Sequence, residues 1–117
     1  MSAPAPLDAL PPDPAGQVDW VVKHGMPALI LFHSTNCKPC IAMTALVEQV
    51  RPAYEGRVAF IDVVTNDNAN ANLVRRAGIN TIPTTFFVSA SGAGQAYIGL
   101  MEEADLRAEL DRLTAAE

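Results

Sequence analysis

Apolar positions along this chain change their spacing several times, and each change predicts an element. Val18, Val21 and Val22 share one helical face, with Trp20 beside it. Asp13 caps that helix, Pro14 occupies its first position, and His24-Gly25 ends it ahead of Pro27. Residues 28–32 form a continuous apolar run, the pattern of a strand buried on both faces. His33-Ser34-Thr35-Asn36 is a loop of cap-forming residues. Cys37 then opens a long helix carrying Ile41, Ala45, Val47 and Val50, limited by Pro52. Residues 58–64 predict a second buried strand from their β-branched content. Asn66 or Asp67 caps a helix with Leu73 and Val74, which Gly78 closes. A third strand spans 84–88, a turn spans 89–94, and a returning strand spans 95–98. The last helix covers 102–114, with Leu106, Leu110 and Leu113 on one stripe.

The order α-β-α-β-α-β-β-α predicts an α/β fold, with one mixed sheet of four to five strands covered by helices on both faces. Crossovers of this length predict parallel pairing of the first strands, and the hairpin adds an antiparallel edge. There is no internal repeat. The domain is expected over 14–117, behind a flexible proline-rich tail at 1–13. Between Ala3 and Pro14 lie five prolines, which favour an extended linker.

A length of 117 residues allows one domain, and a composition half hydrophobic and 18% charged supplies a core for it. The net charge of −5, with lysines and arginines scattered singly, excludes nucleic acid and anionic membrane surfaces as partners. Residues 102–117 hold six acids and two arginines, which is the composition of a solvated helix face. No stretch approaches the ~20 apolar residues of a membrane span, and a monomer is expected. The first ten residues carry neither a basic region nor a long apolar segment, which predicts a cytoplasmic location. The alternative is an extracytoplasmic or membrane-tethered protein whose N-terminus has been trimmed to the proline-rich tether.

Two cysteines, Cys37 and Cys40, exclude a multi-bridge scaffold and a four-cysteine zinc site within the chain. A bridge across two residues constrains the unfolded chain too little to be a structural staple. The pair sits where a strand passes into a helix. There, free N–H groups and the helix dipole favour an anion on Cys37, and the thiolate is the nucleophilic form. Lys38 adds a positive charge, and Pro39 fits the first turn. Cys40 lies on the same face and is expected to be the more buried. The pair suits a two-step opening of a disulfide, in which Cys37 attacks and Cys40 resolves. The motif alone also fits half of an intermolecular metal site, with only His24 and His33 as further soft ligands, or two small core residues.

Thr81-Ile82-Pro83-Thr84 puts a proline at the opening of a strand. The strand leading into Cys37-Lys38-Pro39-Cys40, the Gly78…Ile82-Pro83-Thr84 segment and Gly99 before the last helix together resemble the thioredoxin family over about residues 16–115. The resemblance implies a thioredoxin fold and a thiol–disulfide oxidoreductase. Its substrates would be protein disulfides or dithiols, with an upstream redox partner. It implies no metal, flavin or nucleotide beyond the redox-active Cys37–Cys40 disulfide. Cys37 and Cys40 would be catalytic, and Asn36, Lys38 and Pro39 would complete the active-site loop. A cis Ile82–Pro83 bond would face the cysteines, with Pro83 keeping metal from the sulfurs and the backbone of Ile82 pairing with substrate. Pro39 and Ile82 resemble the reducing members, so reduction is the expected direction.

The departures from the family are specific. Asn36 stands where it commonly has Trp, Lys38 where it has Gly, and His33 where it has an aromatic. Leu31 replaces its buried strand acid, and Asp62 falls near its buried lysine. The expectation is that Asp62 accepts the Cys40 proton and that His33 tunes Cys37 or relays protons. The alternatives are a solvent-facing Asp62 and a packing His33. Met101 is expected near the substrate groove, and Trp20, Met26 and Met43 in packing roles. Two other functions fit these departures: a thioredoxin-like binding module with an idle bridge, and a metal-binding protein using the cysteine pair.

Overall fold

The computed structural model describes residues 10–115. Most of the proline-rich tail lies outside the described residues. The first helix, α1, is Pro14–His24, with the Asp13 carboxylate accepting from Gly16 N and Gly25 closing the C-terminus. β1 is Ala28–His33, α2 is Lys38–Val50, and a 3-10 turn follows at Arg51–Tyr54. β2 is Ala59–Val64. Asp67 caps a 3-10 turn at Asn68–Asn70 that leads into α3, Ala71–Ala77, closed by Gly78. β3 is Thr84–Val88, β4 is Gly94–Ile98 and α4 is Glu103–Ala115. Glu103 and Asp105 in the first turn of α4 and Arg112 in its last complement the helix dipole.

The described residues form one four-stranded mixed sheet in the order β2-β1-β3-β4. β1 and β2 are parallel, with Leu31 opposite Asp62 and His33 opposite Val64. β3 runs antiparallel to β1, so parallel pairing stops after the first two strands. After α3 and residues 78–83 the chain re-enters the sheet at the end where β2 left it. β4 pairs antiparallel with β3 and closes the hairpin.

The sheet separates two apolar layers. On one face Leu29, Leu31 and Phe87 pack with Met43, Val47 and Val50 of α2 and Leu106, Leu110 and Leu113 of α4. On the other, Ala28, Ile30, Phe32, Ile61 and Val63 pack with Val21 and Leu73, with Trp20 against them. Val22, although apolar, points outward and is 57% exposed. The buried stripe of α2 is Cys40, Met43, Val47 and Val50, while Ile41 and Ala45 face outward. The alternation of β1 and β2 sends odd and even residues to opposite layers. His33 and Asp62 thereby join Leu31 on the α2 side.

Candidate active site

Cys37 is the N-cap of α2 rather than its first helical residue, with extended backbone at φ −123 and ψ 112. Its Sγ takes the place of a capping oxygen and accepts a hydrogen bond from Cys40 N at 3.1 Å. Cys37 and Cys40 are joined as a disulfide with their Cα atoms 5.1 Å apart. Their exposures differ. Cys37 is half-buried, and Cys40 is fully buried on the sheet side of the helix. When the bridge is opened, the same N–H and the N-terminal dipole favour a negative charge on the outer sulfur. No acid occupies the first turn of α2 to oppose that charge. Lys38, Pro39 and Asn36 are exposed around it, and the Lys38 charge acts there through solvent.

The Ile82–Pro83 bond is cis. Pro83 is buried and Ile82 half-buried at the opening of β3. Because Thr84 pairs with Phe32, this corner stands at the end of β1 from which the chain leaves toward Cys37. Thr84 Oγ1 donates to Thr81 O at 2.5 Å, and Gly99 N donates to Pro83 O at 2.7 Å. Gly99 adopts φ +94, where L side chains are strained, and so brings the chain after β4 onto the proline corner. Ile98 and Leu100 flank it at 69% and 57% exposure. On the helix side Ile41 is 63% exposed, one residue past Cys40. The periodicity of α2 hid Ile41 among core positions; its place directly after a buried Cys40 was the available signal. Met101 is buried in the core beside Leu106, because it continues the inward stripe of α4 and not the groove surface.

His33 and Asp62 meet at the same end of the sheet. His33 Nε2 lies 2.7 Å from Asp62 Oδ1, with the imidazole largely buried and the carboxylate 59% exposed. The ring nitrogen has no partner in hydrogen-bond geometry, so the contact is close without being a directed hydrogen bond. Two further bonds hold the loop before Cys37 to the end of β2. Thr65 N donates to His33 O at 2.7 Å, and Asn66 Nδ2 donates to Thr35 Oγ1 at 2.9 Å. Leu31 is 2% exposed between Asp62 and Thr85. The Thr85 hydroxyl beside it is buried without a hydrogen-bond partner.

A disulfide at the start of α2 thus shares one end of a four-stranded mixed sheet with a cis-proline corner. A family model described as a thioredoxin-like domain matches residues 15–114. The chain belongs to the thioredoxin-like family. It is 25% identical over 85 residues to a thioredoxin of Borreliella burgdorferi, covering 73% of this chain and 71% of that one. It is also 25% identical over 92 residues to a thioredoxin of Pyropia yezoensis, covering 79% and 84%. Among solved structures, chloroplastic thioredoxin z superposes with a TM-score of 0.73 at 20% identity, over 85% of this chain and 88% of that chain. A thioredoxin of Malassezia sympodialis superposes at 0.70 with 23% identity, over 84% of each. This thioredoxin-like protein is a disulfide oxidoreductase, and Cys37–Cys40 is its disulfide.

Proposed function

We propose that the protein reduces disulfides in other proteins by dithiol–disulfide exchange. The carrying observation is the unequal burial of the two sulfurs: Cys37 is reachable at the helix cap and Cys40 is enclosed behind it. The Cys37 thiolate attacks a client sulfur and forms a mixed disulfide. The Cys40 thiolate then attacks Cys37 Sγ, and the client leaves as a dithiol. Two electrons pass to the client, and the Cys37–Cys40 bridge is regenerated for an upstream dithiol donor to open. Exposed Ile98, Leu100 and Ile41 would give a client apolar contact, and the backbone of Ile82 would pair with an extended client segment. A reducing role accords with the cytoplasm, where thiols are kept reduced. No described helix is long and apolar enough to cross a membrane.

Insulin reduction driven by dithiothreitol tests the activity, and the equilibrium reduction potential tests its direction. Turnover lost in Cys37→Ser, with a potential near the ~−270 mV of reducing thioredoxins, is the expected result. A potential close to ~−120 mV would reverse the direction, and turnover no faster than background would leave a binding module.

A further inference from the structure

A groove of about 390 Å³ runs along the outer flank of α2, with His33, Ser34 and Thr35 on the loop side and Ile41, Thr44 and Ala45 on the helix side. Cys37 joins the two walls. It follows Thr35 by two residues, and its carbonyl accepts from Ile41 N at 3.0 Å, which sets Ile41 one helical turn beyond it. That turn advances about 6 Å along the helix axis. A lone exposed isoleucine is ordinary, but Ile41, 63% exposed, forms the wall of a groove next to the nucleophile. None of the six lining residues carries a permanent charge. The loop wall is held in place, because Thr65 N donates to His33 O at 2.7 Å and Asn66 Nδ2 donates to Thr35 Oγ1 at 2.9 Å. This wall is tied to the end of β2, whereas the proline corner opens β3 on the other side of β1. The groove is therefore separate from the surface around Pro83, Ile98 and Leu100. Its volume is at the lower end of the ~300–1,000 Å³ of small-ligand clefts, enough for one large side chain.

The chemistry at Cys37 identifies the occupant. Attack by the Cys37 thiolate joins its Sγ to one client sulfur and expels the other client sulfur as a thiolate. While that bond lasts, the client backbone passes beside the nucleophile. In an extended segment, residues two apart point to the same side and lie about 7 Å from each other, which matches the turn from Cys37 to Ile41. We propose that this groove selects clients by an apolar side chain, aliphatic or aromatic, two residues from the attacked cysteine. The inference rests on the dithiol–disulfide reading above and adds to it a specificity subsite made by Ile41 and Ala45.

Peptides carrying a single cysteine as its thionitrobenzoate disulfide test the subsite. Cys37 of the reduced protein bonds to the peptide sulfur, and coloured thionitrobenzoate leaves. Leu is compared with Ser two residues before the cysteine in one pair of peptides and two residues after it in another. In one of these positions Leu raises the second-order rate constant about tenfold, the low end for an apolar pocket because the groove is open on one side. Ile41→Ser removes most of that advantage. Ala45→Arg places a cation in the groove, and a peptide with Glu at the same position then overtakes the Leu peptide. Leu100→Ser, on the proline side, keeps the Leu advantage. Ile41 and Ala45 are both exposed, so their variants keep the fold. Equal rates for Leu and Ser peptides in wild type, or a Leu advantage that survives Ile41→Ser, overturn the inference. Rates for every peptide no faster than those of free glutathione at the same thiol concentration overturn the proposed function instead.

Discussion

Replacing Gly99 by Ala isolates the cost of the backbone turn that braces the proline corner. A Cβ at Gly99 meets nothing within 4 Å, so no clash contributes. What remains is the strain of an L residue at φ +94, about 1–2 kcal/mol. The chain escapes the strain only by giving up the 2.7 Å bond from Gly99 N to Pro83 O, a loss of about 1 kcal/mol. Either route costs a similar amount. Gly94→Ala is the control: its Cβ sits in ordinary contact 3.7 Å from Phe87 O, without a left-handed backbone. There Ala reduces unfolded-chain entropy and is neutral or stabilising by up to about 1 kcal/mol. Thermal unfolding reads both variants. Each kcal/mol corresponds to several degrees in a domain of this size, so Gly99→Ala lowers Tm by at least about 4 °C. The KM for insulin rises as well, because the platform beside Pro83 shifts. A Gly99→Ala protein as stable as Gly94→Ala would refute the strain argument.

In Cys40→Ser the resolving sulfur is gone, so incubation with a disulfide-bonded client accumulates a covalent complex through Cys37. Non-reducing gels show it and dithiothreitol dissolves it; a complex that instead persists in Cys37→Ser contradicts the assignment of nucleophile. Tyr54 supplies a pH test. Burial first, and then its 2.6 Å hydrogen bond to Asp111, raise its phenol above the ordinary 10.0. A raised phenol stabilises the fold fully below the unfolded value, and that contribution is lost as pH climbs through the folded one. Tyr54→Phe therefore costs about 1 kcal/mol at neutral pH and makes the alkaline decline in urea midpoint shallower; an unchanged alkaline slope sinks the assignment.

Much of the architecture was legible because its signals are local. Asp13-Pro14 and His24-Gly25 bracket α1 as expected, since capping and chain reversal depend on residues within one turn. Residues 84–88 emerge as β3 with the expected bounds, because Ile82-Pro83 and the turn at 89–94 delimit them. Cys37 and Cys40 were legible as chemistry for the same reason: spacing and a strand-to-helix junction place both sulfurs. Less legible was everything that depends on which way a side chain turns. Ile41 and Val22 are apolar and exposed, whereas Met101 is buried, because the packed neighbours select the inward stripe.

The sequence by itself determined the elements, their order, the redox pair and the proline corner, since each is encoded in contiguous residues. The tertiary structure decided the direction of β3, because its pairing with β1 joins segments far apart in the sequence. It also decided the partner of His33. Strand register, a property of two chain segments brought together, sets Asp62 beside Leu31 and in reach of the imidazole. No local pattern contains that distance.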